Sequence, residues 1–515
     1  MSARTHRWRI TLLAGVGFFA LQLGWLLAIA PGFGIDEFDH AFRASSVAEG
    51  HWGAGTEKAP DDLSRGELIP VRADLVPALR TACQERPYTV TYDCEALRPV
   101  PGGEVLIASG AARYNPSFYA VVGTVAKPFH GTANLIALRV ATALIACVLF
   151  MLVAWLTVAG AASLWPLVAL FLAALPTTVY STAIASPNGI EMVAGLGVWV
   201  AASAVVGGCR LQQRRSVAYG ALGLFAVVMV NAHTLGAVWL ALSLMVLAVV
   251  HGPLATLRAL LPRVRAEAAV AALSIAGIGF EVAWVLTSKV NDPSTVDDSF
   301  AGSPVPDLLR GIVLWPLQAI GAFPMRNNPA PVALYALVLA LAVAFLATGL
   351  RRTGLRNRTG LALALVLGVS YAVPAALTAI SFHTIGAAWQ GRYGVPFSIG
   401  VLVILGCALD QRPAGRLTRP FAVAVAVGMP VAQVIGQLHV VDAQNRTPGL
   451  VAGTHWAVPS TTLLVALVLL AAACWSAAVN RWTPPGHTVV PAAPEPAEAT
   501  PAPHVQQQTP QEVVR

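Results

Sequence analysis

The chain has 515 residues, 56% of them hydrophobic and 11% charged, and its mean hydropathy is +0.66. A soluble domain carries about 25% charged residues, so this composition excludes one and marks a polytopic membrane protein embedded in a lipid bilayer. The net charge of +8 and pI near 9.4 imply no nucleic-acid partner, because the arginines stand in short loops between apolar runs, where they orient a chain in a membrane.

In chain order, Arg4, Arg7 and Arg9 precede a spanning-length apolar run from Ile10 to Ala30. Ala28-Ile29-Ala30 resembles a signal-peptidase site, but Pro31 would follow the cut, and the run is longer than a signal core of about 7–15 residues. It is expected to remain as a helix, with the N-terminus in the cytoplasm. Residues 31–133 are mostly polar and are predicted to form a large extracytoplasmic loop, a small subdomain lying on the membrane with interfacial helices. Cys83 and Cys94 fall in it, whereas Cys147, Cys209, Cys407 and Cys474 lie in or beside apolar runs. Two cysteines a short loop apart in an oxidising compartment suggest a disulfide; free buried thiols are the alternative. Tyr114 to Phe129 is apolar but broken by Pro116 and Pro128, so it reads as interfacial or re-entrant.

Apolar runs recur at about 134–160, 164–184, 190–207, 217–232, 235–251, 268–288, 331–349, 359–380, 394–410, 420–437 and 458–480. With the first run they make about twelve spans. Arginine clusters at 210–215, 258–265, 351–358 and 412–419 then all fall on the cytoplasmic side, provided that 114–129 and 308–323 do not cross. The expected fold class is an all-α polytopic membrane protein of about twelve transmembrane helices, both termini cytoplasmic. Its transmembrane domain covers 1–480, and 481–515 is a Pro-, Ala- and Gln-rich tail too poor in apolar residues to pack, expected to be disordered.

The most unusual stretch, Pro31 to Trp52, brings Asp36, Glu37, Asp39, His40 and Arg43 into eight positions directly after the first span. On a helix Asp36, His40 and Arg43 share one face. Such a set can bind and deprotonate a polar substrate; a solvated helix start with acids near its N-terminus would look the same. The predicted topology adds further polar residues on the same outer side: Arg113 to Asn115, Arg139, Ser186 to Gly189 with Glu191, Asn231, His233, Asp292, Asp297, Asp298, His383, Trp389, Gln390, Arg392 and Tyr393. Arginine clamps a phosphate through two N–H groups, aromatics stack on a sugar face, and a carboxylate takes a proton from an acceptor hydroxyl. That combination matches a sugar carried on a lipid phosphate. Plainer readings stand beside it: Ser186 to Gly189 as a tight turn, Trp389 and Tyr393 as interfacial aromatics, Arg392 as a snorkelling cation, His233 as structural, and Glu281 as a partner of Lys289 rather than a functional carboxylate.

The order Asp36-Glu37-x-x-His40-x-x-Arg43, then Tyr114-Asn115-Pro116 with Tyr119, Ser186-Pro187-Asn188-Gly189, and Gln390-Gly391-Arg392-Tyr393 with Pro396 resembles the bacterial membrane-protein family of domain of unknown function 2142. The likeness runs from about Asp36 to the last span, and Ile35 and Phe38 stand where the family usually has proline. That family looks like a branch of the GT-C membrane glycosyltransferases, which use polyprenyl-phosphate sugars and carry a catalytic acid in the first outer loop. The resemblance implies a GT-C-like fold and transfer of a sugar from a polyprenyl-phosphate donor to a cell-envelope glycan or lipid, at the outer face of the cytoplasmic membrane. Asp36 or Glu37 would be the base, and His40 and Arg43 would orient it or bind substrate. Arg392, with Arg139, would hold the donor phosphate, and Asn188, Trp389, Gln390 and Tyr393 would complete the site. Mg²⁺ or Mn²⁺ would suit Asp36 and Glu37, though nothing in the pattern requires a metal. A transporter or flippase of envelope precursors, which would favour midplane polar residues and inverted repeats, and a non-catalytic assembly protein are the rival functions.

Overall fold

The computed structural model describes residues 3–53, 55, 66–84, 98–207, 215–290, 302–323, 328–354, 358–412, 415–446, 454 and 456–483. Helix α1 (Ala3–Ala28) leads into a subdomain built of α2 (Glu37–Ala48), β1 (Glu67–Arg72), α3 (Leu75–Gln84), β2 (Arg98–Val100), β3 (Glu104–Ser109) and α4 (Pro116–Ala126). The bundle continues with α5 (Gly131–Gly160), α6 (Trp165–Ala173), α7 (Pro176–Ser181), α8 (Pro187–Val206), α9 (Arg215–Ala232), α10 (Gly236–His251), α11 (Pro253–Leu260) and α12 (Arg265–Ser288). Then come α13 (Val305–Ile320), α14 (Val332–Thr353), α15 (Arg358–Ile385), a 3₁₀ turn (Gly391–Gly394), α16 (Val395–Ser398), α17 (Gly400–Asp410), α18 (Thr418–Asn445) and α19 (Thr461–Arg481).

Among the described residues ten helices are long and apolar enough to cross a membrane, the run from Gly391 to Asp410 counting as one. This corrects the expected twelve. Helix α10 has only 16 residues, short of the ~20 that a span needs. The 164–184 run is divided at Pro176 into α6 and α7. Leu175 before it is extended, with φ −55° and ψ 150°, the conformation a residue preceding proline prefers. The Ala174 carbonyl there accepts a 3.1 Å hydrogen bond from Gln433 Nε2 of α18. A broken helix is tolerated at membrane depth when a neighbour answers its freed backbone in this way.

The all-α expectation is also corrected, by a small antiparallel sheet of order β1-β3-β2 in the loop subdomain. Glu67 lies opposite Ser109 and Arg72 opposite Glu104. Pro70 is accommodated because β1 is an edge strand, where a missing N–H breaks no ladder. Phe38 and Phe42 of α2 pack with Ile69 and Ile107 of the sheet, Tyr119 of α4 and Leu138 of α5 into a core of their own. The subdomain therefore rests on one end of the bundle, called the loop end below. Helix α4, capped by the Asn115 side chain and opened by Pro116, has 11 residues and is too short to cross, as expected.

The bundle has a buried apolar core, but its peripheral helix α12 is turned inside out relative to a helix of a soluble protein. On α12 the buried residues are Glu267, Glu281 and Ser288, while Leu273, Ile275 and Leu286 are exposed, as hydrocarbon around the helix requires. Between helices, hydrogen bonds replace apolar contrast. Gln433 of α18 accepts from Trp25 Nε1 at 2.6 Å, Gln437 donates to the Leu21 carbonyl at 3.3 Å, and Gln444 binds both the Ala28 carbonyl and the Ala30 N–H at 2.9 Å.

The described cysteines Cys147, Cys407 and Cys474 are free thiols. The expected Cys83–Cys94 bridge lies outside the described residues, since Cys94 and the Cys83 side chain are not among them, and so does the tail beyond Thr483.

Gly189, in the first turn of α8, sits so close to α7 that a Cβ would overlap the Ser181 backbone. Gly189→Ala is expected to lower the thermal stability of the purified chain by about 1–3 kcal/mol, the usual cost of overpacking. An unchanged melting temperature would show that the two helices part freely.

Candidate functional site

Two acidic neighbours at the start of α2 have different surroundings. Glu37 is fully buried, and its oxygens accept from Arg139 Nε at 2.7 Å, Arg139 Nη2 at 2.6 Å, the Ala185 N–H at 2.9 Å and the Gly34 N–H at 3.1 Å. Arg139, on the second turn of α5, spends its remaining donors on the carbonyls of Leu26, Ile29 and Ala30 at the end of α1. Burial works against the Glu37 charge, but the Arg139 guanidinium and the two backbone N–H groups outweigh it and hold the carboxyl below its ordinary value. The pair joins α1, α2, α5 and the turn before α8. Since all its oxygens and N–H groups are occupied, Glu37 has no room for a proton-transfer role, and Arg139 keeps no donor for a phosphate.

Asp36 is the residue ahead of α2, and its backbone is left-handed, φ 55° and ψ 14°. That region is sparsely used by residues other than glycine, though Asp enters it more easily than most. Both neighbours are pinned: Ile35 N–H donates to the Tyr180 hydroxyl at 2.9 Å, and Glu37 is held as above. The twist turns the Asp36 carboxylate away from Glu37 and onto Arg392 Nη2, 2.7 Å away across 356 residues of sequence. The Asp36 side chain keeps 23% exposure and that of Arg392 only 5%. Arg392 Nη2 also reaches the Tyr393 hydroxyl at 3.4 Å, with the guanidinium 5.1 Å above that ring. Among the described residues Arg392 Nε and Nη1 have no hydrogen-bond partner.

Arg392 is placed by the 3₁₀ turn. Gly391 presses against α13 so tightly that a Cβ would overlap the Trp315 carbonyl oxygen, and its N–H donates to Gln318 Oε1 at 2.9 Å. Glycine is required there by close approach rather than by backbone angle.

Around this pair lie two clefts. One encloses about 350 Å³ of empty space, part of it open to solvent, and is lined by Tyr114, Asn115, Asn231, His233, Glu281 and Trp284 among others. Asn115 Nδ2 donates to Asn231 Oδ1 at 3.2 Å and to Glu281 Oε2, so Asn115, rather than Lys289, is the partner of Glu281. Burial, with Tyr393 and Asp36 close by, pushes the Tyr114 hydroxyl above its ordinary value. Burial, with the Arg392 charge beside it, lowers His233 to about 4; the imidazole is neutral, and its Nδ1 accepts the Leu235 N–H at 3.2 Å. The other cleft, about 240 Å³ measured in the same way, lies between α7, α13 and the 3₁₀ turn.

Of the remaining expected residues, His40 Nδ1 and the Tyr119 hydroxyl share a 2.7 Å hydrogen bond. Arg43 is buried and donates to the carbonyls of His51, Trp52, Gly53 and Tyr114, so it fastens the chain after α2 rather than facing a ligand. Ser186 caps α8 by accepting from the Asn188 N–H at 3.5 Å; the Ser-Pro-Asn-Gly turn is a helix start, with Asn188 buried in its first turn. Tyr393 packs edge-on against Trp389 and tilted against His233, with ring centres 5.7 and 5.2 Å apart. The 292–298 acids lie outside the described residues. Glu191, one turn into α8, is buried with Oε1 4.0 Å from His233 Nδ1, and Tyr180 carries the Asp36 backbone. Neither Tyr180 nor Gln318 has a local sequence signal that marks it.

A divalent cation does not fit Asp36 and Glu37. Four N–H donors fill the Glu37 oxygens, and among the described residues no group of three or more His, Cys, Asp or Glu is placed to hold a metal.

A multi-pass helical membrane protein with a polar site under a loop subdomain is the class these features define. The model of one family, described as predicted membrane protein (DUF2142), matches residues 19–401. The chain belongs to that family. No curated protein matches it.

The Glu37–Arg139 pair has a pH signature. Because folding lowers the Glu37 pKa from 4.5, its contribution to stability is complete above that value and is lost as pH falls through the lowered one. Glu37→Gln leaves Arg139 buried without a counter-charge, which costs about 3–5 kcal/mol. Thermal unfolding of Glu37→Gln should therefore show a large loss at pH 7 and a smaller one below pH 4.5; equal stability of variant and wild type at pH 7 would refute the anchoring role.

Proposed function

We propose that the protein is a GT-C-like membrane glycosyltransferase that moves a sugar from a polyprenyl-phosphate donor to a hydroxyl of a cell-envelope glycan or lipid. The reaction takes place at the outer face of the cytoplasmic membrane, with both termini inside. One observation carries this reading: the Asp36–Arg392 pair, a carboxylate and a guanidinium with spare N–H groups, brought side by side at the loop end of the bundle. A carboxylate alone suits many proton transfers. Beside a buried arginine with unused donors it suits one in which an anionic leaving group must be received.

Asp36 is the base. As the acceptor oxygen forms its bond to the anomeric carbon, its proton passes to the Asp36 carboxylate. The bond from that carbon to the phosphate oxygen breaks, and its electron pair leaves with the polyprenyl phosphate, whose growing charge Arg392 meets. The acceptor proton becomes acidic only as the new bond forms, so a carboxylate suffices as the base. Glu37 and Arg139 hold the loop that presents Asp36. His40 and Arg43 position the same segment from the far side, and Trp389 and Tyr393 offer aromatic faces to the sugar.

A positioned base contributes typically ~10²–10⁴-fold, so Asp36→Asn is expected to insert normally and to lose glycan product by about that factor, with a lower melting temperature because buried Arg392 loses its counter-charge. Full product from Asp36→Asn in cells lacking the wild-type copy would reject the catalytic assignment.

The orientation is tested separately, following the arginine clusters. Engineered thiols at Gly102 in the β2–β3 turn and at Ser303 before α13 should react with an impermeant maleimide added outside cells. One at Gly354, between α14 and α15, should react only after lysis; labelling of Gly354 from outside would invert the topology.

A further inference from the structure

The two clefts beside Arg392 differ in chemistry, and the difference assigns them. The α12-side cleft contains Glu281, hydrogen-bonded amides and a neutral histidine, with Glu191 buried against His233. The α13-side cleft has no carboxylate among its described lining residues, which include Thr177, Ser181, Gln318, Gln390 and Arg392. The first offers an anion carboxyl groups and satisfied amides, the second a guanidinium. The orphaned atoms agree. Arg392 Nε and Nη1 are donors without partners among the described residues, and Gln390 Oε1 is an acceptor without one. Both side chains line the α13-side cleft, and both residues are more than nine-tenths buried, with exposures of 4% and 8%. Unused donors and an unused acceptor in one small cleft complement a group that bears an anionic oxygen next to a hydroxyl. Leaving them unanswered is costly in a buried setting.

The α13 wall of this cleft carries an exposed apolar flank. Only Gly311, Trp315 and Ile320 of α13 are buried, while Leu309, Ile312, Val313 and Leu314 are exposed along it. Helix α13 thus lies with an apolar flank outward and with Gln318 turned to the cleft, where it binds Gly391 beside Arg392.

Building on the reading above, we propose that the α13-side cleft is the seat of the donor's glycosyl phosphate, with Arg392 holding the phosphate oxygens and Gln390 taking a sugar hydroxyl. The lipid chain leaves along the apolar flank of α13. The α12-side cleft, rich in acceptors, is then left to the incoming hydroxyl-bearing substrate. Donor and acceptor then reach the Asp36–Arg392 pair through different clefts.

The experiment uses the full chain in nanodiscs and a farnesyl phosphate carrying a diazirine on its lipid chain. Photolabelled peptides should map to 305–320, and labelling should be competed by farnesyl phosphate but not by farnesol or by inorganic phosphate. Arg392→Gln should reduce the labelling about tenfold or more, as loss of a charge-assisted contact implies, and Ser181→Phe, which fills the cleft, should do the same. Thr234→Trp, on the other cleft, should leave it unchanged. Labelling that depends on Arg392 but maps to 265–288, or that falls with Thr234→Trp and not with Ser181→Phe, would overturn the cleft assignment and leave the glycosyltransferase reading standing. Equal competition by farnesol, or labelling indifferent to Arg392, would overturn both. Competition by inorganic phosphate as strong as that by farnesyl phosphate would mark a soluble-phosphate site and reject the lipid route.

Discussion

The ion pair between Glu37 and Arg139 governs the loop end of the molecule. Burying two charges is unfavourable unless their remaining hydrogen-bonding capacity is also met. Here every N–H of the arginine and four approaches to the carboxylate are met, most of them by backbone groups of α1 and of the turn before α8. The backbone between α1 and α2 has little freedom left. That constraint sustains the left-handed conformation of Asp36, a strain of about 1–3 kcal/mol that persists only where the surroundings over-determine it. A fully buried carboxylate and a partly exposed one thus stand next to each other in sequence, the first fixing the backbone that directs the second.

The same economy governs Arg392. One face of its guanidinium meets Asp36 and the Tyr393 hydroxyl, and the turn that carries it is set by contact of Gly391 with α13. Its orientation is therefore decided by α2 and α13 together, elements far apart in the chain. Neutral His233 and the hydrogen-bonded Asn115, Asn231 and Glu281 surround the opposite side without competing for its charge. The site has one buried cation and one carboxylate in contact, beside Gln390 Oε1 and Glu191 Oε1, which are unanswered among the described residues.

Much of the membrane architecture was legible because hydrocarbon thickness and arginine placement impose one-dimensional rules. These rules placed the long helices and marked the segments that do not cross. They failed at α6–α7, where the apolar run is long enough but Pro176 divides it and a glutamine from α18 makes the division tolerable. The β-sheet was hidden because its strands are short and lie in a polar segment, and their burial is supplied by α2 and α4. Within the site, the reactive types and their neighbourhoods were readable: Asp36 and Glu37 after the first span, Arg392 in Gln-Gly-Arg-Tyr. The allocation between Asp36 and Glu37 was not. Nothing local announces that Arg139, 102 residues on, serves Glu37, and a free-looking arginine was read as a phosphate ligand for the same reason. Gln433, Gln437 and Gln444 did leave a signal, polar residues along one face of an apolar helix, whose meaning depends on α1 lying against it.

Those glutamines have a consequence for how the chain is made. Helix α1 is made long before α18, yet the Ala28 carbonyl and the Ala30 N–H at its end find their partner in Gln444, 416 and 414 residues later. Until α18 inserts, the end of the first helix lacks its glutamine partner, and the segment that carries Asp36 is held by Arg139 of α5, Tyr180 of α7 and the turn before α8. The contacts around the segment before α2 are completed near the end of synthesis.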